Sequence, residues 1–124
     1  MNCPKCSSVM ETVTFQSIDV DRCTSCRGLW FDFQEEKRLK ELQGSESIDT
    51  GDPEVGKRFN EVANITCPRC AAKMLRMVDP RQHHIWFESC VVCYGVFFDA
   101  GEFTDWKQQT LLDFFKDLFT KERK

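Results

Sequence analysis

Eight cysteines standing as four Cys-x-x-Cys pairs are the residues of this 124-residue chain best suited to chemistry. Sixteen residues separate the first pair from the second and nineteen separate the third from the fourth, giving C-x2-C-x16-C-x2-C and C-x2-C-x19-C-x2-C. That is the spacing of four-thiolate zinc sites. Cys3, Cys6, Cys23 and Cys26 form one candidate ligand set and Cys67, Cys70, Cys90 and Cys93 the other, with two Zn2+ per chain. Bracing across the repeats instead of within them would raise the loop-closure cost by only about 0.8 kcal/mol, so entropy alone does not choose between the pairings. The repeat does, and it implies that one unit folds without the other. Four thiolates fill a tetrahedral shell and leave no position for water or substrate, which points to zinc that holds a fold. No catalytic residue and no small-molecule substrate are expected. The rival chemistry is an oxidation sensor that cycles between zinc-bound thiolate and disulfide, but no neighbouring feature singles out one sulfur as reactive. His83 and His84 read as exposed hairpin residues, since both ligand sets are already full.

The spacing is embedded in an internal repeat. Cys23-Thr-Ser-Cys-Arg-Gly-Leu-Trp-Phe-Asp-Phe-Gln-Glu35 returns as Cys90-Val-Val-Cys-Tyr-Gly-Val-Phe-Phe-Asp-Ala-Gly-Glu102. Two units of about 40 residues follow, a size that seldom folds without metal or disulfides. Met1-Asn2 leads directly into the first pair and no stretch approaches the length of a membrane span, so a cytoplasmic chain with reduced thiols is expected. The formal net charge is −3, and two tetrathiolate zinc centres would bring it to about −7, which disfavours generic nucleic-acid affinity. Residues 44–66 carry five acidic and two basic residues, whereas 67–102 balance at four and four. Any basic patch must therefore be local.

The elements that position the thiols can be read in order. Cys3-Pro-Lys-Cys6 is a tight knuckle whose turn Pro4 pre-sets. Val9 to Arg22 is rich in β-branched and aromatic residues around a polar Gln16-Ser17 break and predicts a β-hairpin. Gly28 is expected to give the chain freedom to leave the second knuckle for a third strand, Leu29 to Phe31. Asp32-Phe-Gln-Glu35 and Asp99-Ala-Gly-Glu102 have the form of capping boxes rather than of catalytic acid–base pairs, so each unit should feed a helix. The first runs from Phe33 to about Gln43 with Leu39 and Leu42 inward, and Gly44 ends it. Residues 44–51 read as a flexible linker, and Asp52-Pro53 as the start of a short helix with Val55, Phe59 and Val62 on one side that closes at Asn64. In the second unit, strands are expected at Met74 to Val78 and His84 to Glu88, joined by the turn Asp79-Pro80-Arg81-Gln82. From Glu102 to about Lys121, Phe103, Trp106, Thr110, Leu111, Phe114, Phe115, Leu118 and Phe119 fall on one helical stripe.

The predicted fold is a small metal-bound α+β protein. It comprises a zinc ribbon with a short helix at 1–43, a linker with a short helix at 44–66, a second zinc ribbon at 67–101 and a long amphipathic helix at 102–124. With Cys-Pro-x-Cys, a methionine four residues on (Met10, Met74) and the Cys-x-x-Cys-x-Gly-x-aromatic-aromatic-Asp-x-x-Glu run, the chain resembles the transcription-factor-IIB-type zinc-ribbon family twice, over residues 3–35 and 67–103. The resemblance implies one zinc on four cysteines per ribbon and no enzyme activity.

Two functions fit these features. The first is a protein-interaction adaptor that meets a protein partner or a second copy of itself. Its interface would be the terminal stripe of Phe103, Trp106, Leu111, Phe114, Phe115, Leu118 and Phe119, too long for one small ribbon to cover, with packing on the helix of Val55, Phe59 and Val62 in the same chain as the alternative to a second copy. The other is a nucleic-acid-binding or transcription-related protein that contacts phosphate through Arg76 and Arg81 and stacks a base on Trp86. The first hairpin, with Glu11, Asp19 and Asp21, is the wrong charge for that role. No membrane contact is expected.

Overall fold

A computed structural model describes residues 1–62, 64–78 and 85–108. The turn at 79–82, with Arg81, and His83 and His84 lie outside the described residues, as do Thr110, Leu111, Phe114, Phe115, Leu118 and Phe119. Strands β1 (Met10–Phe15), β2 (Ile18–Cys23) and β3 (Leu29–Phe31) form the first repeat, and β4 (Met74–Val78), β5 (Trp86–Cys90) and β6 (Val96–Phe98) the second. The first hairpin turns on Gln16 and Ser17, both at positive φ (47° and 70°), the two-residue turn whose twist suits paired strands. Val13 faces Val20 and Phe15 faces Ile18 across it. The β5 strand starts two residues later than the expected His84.

The expectation that one unit folds without the other does not match this architecture. The two repeats share a single antiparallel sheet of order β1-β2-β3-β6-β5-β4. The seam is β3 against β6, with Leu29 opposite Phe98, Trp30 opposite Phe97 and Phe31 opposite Val96. Trp30 and Phe97 hold the same place in the repeat, so a pseudo-two-fold axis passes between them. Because strand side chains alternate between faces, each aromatic pair is split by the sheet. Trp30 and Phe97 join the cysteines on one side, and Phe31 and Phe98 face the other. All four are buried to within about 1% of full coverage.

Gly28 meets a different demand from the one its position suggested. The left-handed residue after each second cysteine is not glycine but Ser7, Arg27, Ala71 and Tyr94, with φ between 60° and 66°. Gly28 is small because a Cβ there would sit 2.2 Å from Phe97 Cζ, and Gly95 because its Cβ would sit 2.2 Å from Trp30 Cζ2. Each ribbon's glycine accommodates the other ribbon's aromatic ring.

Helix α1 (Glu35–Lys40) follows β3 and buries Leu39, shorter than the sequence suggested. The capping-box reading is half right. Glu35 Oε1 accepts from the Asp32 amide at 2.8 Å, but the residue preceding the helix is Gln34, and its side chain makes no cap. Asp32 and Asp99 are instead committed to side-chain partners described below.

Residues 44–51 are not a loose linker. Ser45–Ile48 forms a 3-10 turn that buries Ser45 and Ile48. Asp49 then reaches the second repeat, where its carboxylate accepts from the amides of Gly101 (2.9 Å) and Thr104 (3.0 Å) and from the Thr104 hydroxyl (2.9 Å). It thereby caps the helix α3 over residues 102–108. Helix α2 (Pro53–Asn60) begins as expected, with Asp52 accepting from the Glu54 amide, and ends four residues before Asn64. Gly56 lets it lie directly on the second repeat, since a Cβ would come 2.0 Å from the Ala100 carbonyl oxygen. Val55 and Phe59 pack on the cysteine side of the sheet, and α1 and α3 cover the other. Among the described residues, no helix is long and apolar enough to cross a membrane.

Candidate metal centres

Each knuckle repeats one backbone design. The amide two residues after the leading cysteine donates to its sulfur: Lys5 to Cys3, Ser25 to Cys23, Arg69 to Cys67 and Val92 to Cys90, all at 3.4 Å. The leading cysteine's own amide returns to a carbonyl five residues on, as in Cys23 to Gly28 and Cys90 to Gly95, both at 2.9 Å. The left-handed residue after the second cysteine turns the chain so that this bond closes. N–H donors aimed at sulfur stabilise the thiolate form that a metal needs.

The hairpins then bring knuckles together within repeats, not across them. Cys3, Cys6, Cys23 and Cys26 form one cluster and Cys67, Cys70, Cys90 and Cys93 the other, with all four sulfurs of each within 4.8 Å of one another. The shorter separations are 3.7 Å (Cys3–Cys26), 3.4 Å (Cys6–Cys23), 3.7 Å (Cys67–Cys93) and 3.3 Å (Cys70–Cys90). A tetrahedral zinc with bonds of about 2.3 Å requires sulfurs about 3.8 Å apart, so the donor set and its size fit Zn2+. All eight cysteines are free of disulfide bonds. The model of a transcription factor zinc-finger family, the transcription-factor-IIB-type zinc ribbon, matches residues 2–42 and again 66–109, well over half the chain.

The chain belongs to the transcription-factor-IIB-type zinc-ribbon family. It is a tandem zinc ribbon that binds two Zn2+ ions, one in each four-cysteine cluster. No curated protein and no solved structure matches it. When bound, each zinc ties the knuckle that precedes a hairpin to the knuckle that leads into the short third strand.

Around the ribbon centres lies a set of charges that pattern reading missed. Lys5, inside the first knuckle, has a fully buried side chain, and its ammonium lies 2.6 Å from Glu88 Oε1 and 3.2 Å from Asp99 Oδ2. It also donates to the carbonyls of Phe59 (2.8 Å) and Val62 (3.2 Å), near and just past the end of α2. Burial raises both acids, Asp99 to about 7, with Lys5 opposing the shift. Arg69 holds the matching place in the second ribbon's first knuckle. It pairs with Asp21 at 3.1 Å and, through two guanidinium nitrogens, with Asp32. Asp32 further accepts from the Trp30 indole at 3.0 Å, while Asp99, facing Phe97 in place of a tryptophan, has an Oδ1 with no partner. Thus each ribbon's first knuckle is clamped to the other ribbon's acidic pair. The available signal was the repeat itself: a basic residue at the variable position of both Cys-Pro-x-Cys knuckles and an acid before both helices.

The remaining candidates are dispersed. The Arg76 guanidinium lies over the Trp86 ring at 4.6 Å on the β4–β5 hairpin, away from the zinc clusters, with Arg76 exposed and Trp86 half-buried. Phe103 and Trp106, expected on an exposed interface stripe, are instead buried within the chain at 0% and 8% exposure. Phe103 packs on Phe31 at 5.0 Å and Trp106 on Phe98 at 5.4 Å between ring centres. The start of the stripe therefore belongs to the chain's own core. Lys107, on the same helix, is buried and donates to Leu42 O (2.7 Å) and Ser45 Oγ (2.8 Å), which ties α3 to the first repeat.

Proposed function

We infer that this tandem zinc ribbon is an adaptor that binds another protein, with both metals structural and no chemistry of its own. The observation that carries this reading is the apolar surface of the second ribbon. Val91, Val92 and Tyr94 of its second knuckle are 53%, 62% and 60% exposed, and Leu75 and Met77 of its hairpin 49% and 43%. None of them belongs to either buried cluster. The matching knuckle of the first ribbon carries Thr24, Ser25 and Arg27. The first ribbon also exposes Val9 and Phe33, but its second knuckle is polar, and a water-facing apolar knuckle on one copy of a duplicated scaffold supports a role in contact rather than in folding. Closed four-thiolate shells support the structural assignment of the metals, and reduced thiols suit a cytoplasmic setting. Self-association through Leu111, Phe114, Phe115, Leu118 and Phe119 is a second form of the same reading, supported by their sequence pattern. Affinity capture with the zinc-loaded chain should retain a protein partner after nuclease treatment. Replacing Val91 and Val92 with serine should release that partner with zinc content unchanged, and retention by this variant would contradict the reading.

Nucleic-acid contact through the second ribbon is the alternative, supported by the exposed Arg76 stacked on Trp86. It predicts binding to generic single- or double-stranded nucleic acid that weakens steeply with salt and is lost in Arg76→Ala with Arg81→Ala. Binding that survives the double change would remove this reading.

A further inference from the structure

A groove between α1 and the second ribbon opens beside the second ribbon's second knuckle, and neither Arg76 nor Trp86 lines it. Phe33, Tyr94, Phe87, Phe98 and Trp106 contribute its aromatic lining, and Glu36 lines it as well. Phe33 and Tyr94 are each 60% exposed, with ring centres 5.8 Å apart. Glu36 is 7% exposed, and its Oε2 has no hydrogen-bond partner. A buried carboxylate oxygen left without a donor is unfavourable, and a ligand that brings one relieves that cost. Lys37 lines the groove too, and Lys40 lies 4.7 Å over the Trp106 ring, but neither donates to Oε2.

The duplication supplies the comparison that names an occupant. Aligning Cys23 with Cys90 sets Arg27 against Tyr94 and Phe33 against Ala100. Between Arg27 and Ala100 the chain's own segment runs through: a Cβ on Gly51 would lie 2.5 Å from Ala100 Cβ and 2.6 Å from Arg27 Cβ. Two residues earlier, Asp49 delivers its carboxylate to α3. At one of two equivalent places, then, a peptide segment passes the ends of the central strands β3 and β6 and presents a charged side chain to the helix beside it. At the other, two aromatic rings stand exposed beside a helix that carries an unpaired carboxylate.

We propose that the Phe33–Tyr94 groove binds a peptide segment of a partner protein and that a lysine or arginine side chain of that segment pairs with Glu36. The charge is opposite to that of Asp49 because the receiving group is a carboxylate rather than a pair of amides. Aromatic faces attract a cation passing over them, and a charge-assisted bond supplies the donor that Glu36 Oε2 lacks. The protein's net charge of −3, more negative with zinc bound, favours encounter with a basic segment. This assignment rests on the adaptor reading and specifies its partner's chemistry.

The test uses the zinc-loaded full chain, 15N-labelled, titrated with a blocked leucine–arginine–leucine–glycine peptide and with its glutamine-for-arginine control. Shifts should concentrate on the amides of Phe33, Glu36, Ser89 and Tyr94, and the control should bind about tenfold more weakly. Glu36→Gln should weaken the arginine peptide by a similar factor and erase the difference between the two peptides. Tyr94→Asn, a change at an exposed residue whose φ of 60° asparagine tolerates, should weaken both peptides with zinc content unchanged. Equal binding of the two peptides, shifts centred elsewhere, or no shifts at the solubility limit would overturn the proposal. A partner captured by wild type and equally by both variants would leave the adaptor reading standing and remove this groove from it. Failure of the wild-type chain to capture any protein would count against the adaptor reading instead.

Discussion

Lys5 and Arg69 stand at the same place in the two Cys-Pro-x-Cys knuckles, and each crosses the pseudo-two-fold axis to the acidic pair of the other ribbon. The Lys5 side chain is 0% exposed and that of Arg69 is 44% exposed. The difference traces to α2 and the turn after it, which lie on the second repeat at Ala100 and place the Phe59 and Val62 carbonyls on the Lys5 ammonium. No described element covers Arg69. A duplicated scaffold has kept its geometry while one copy turned the shared clamp into a sealed core and the other left it wet. The same division separates the knuckles, polar at Thr24 and Ser25 but apolar at Val91 and Val92.

If burial sets the weight of the two clamps, their removal should differ sharply. Lys5→Met strands Glu88 and Asp99 without a cation in the interior, and should lower stability by about 3–5 kcal/mol in denaturant unfolding. Equal losses for Lys5→Met and Arg69→Met would break the comparison.

The seam itself is probed by its glycines. Gly28→Ala and Gly95→Ala each drive a methyl group into the facing ring, Phe97 or Trp30, and should each destabilise by about 1–3 kcal/mol, measurable by thermal melts at fixed zinc. Phe97→Leu should relieve Gly28→Ala but not Gly95→Ala. Independent ribbons would show no such cross-repeat rescue.

A smaller loss is expected at the link between repeats. Asp49→Ala removes the cap from α3 and should cost about 1 kcal/mol, with amide exchange rising first at Gly101 and Thr104. The smallest effect belongs to Arg69→Met, within about 1 kcal/mol, because an exposed ion pair competes with water.

The ligands and strands were legible because thiol spacing and β-branched alternation are local signals. Leu29–Phe31 matches its expected bounds, and the Gln16-Ser17 turn falls where the polar break lay. The seam was not legible, because nothing within β3 or β6 distinguishes a strand buried on both faces by its own ribbon from one buried by its twin. For the same reason Gly28 suggested a flexible bend, when its constraint is a ring from residue Phe97. Asp32 and Asp99 fit a cap by spacing, yet cations remote in sequence claim their side chains. Residues 44–51 looked like a linker because Ser, Asp and Gly are common in loops, but Asp49 and Gly51 are shaped to the second ribbon. Phe103 and Trp106 show the limit of a helical stripe as evidence: its period reveals an apolar face without saying which surface covers it.

The central claim is that two zinc-bound ribbons fold as one unit across the β3–β6 seam. Hydrogen exchange of Cys67→Ser with Cys70→Ser, in zinc-containing buffer, tests it most directly because only the second site is disabled. The account predicts that native mass spectrometry counts two zincs on the parent chain, and that in the variant protection is lost at Leu29, Trp30 and Phe31 as well as throughout β4–β6. Full protection of β1–β3 in a variant that retains only the first zinc would contradict it.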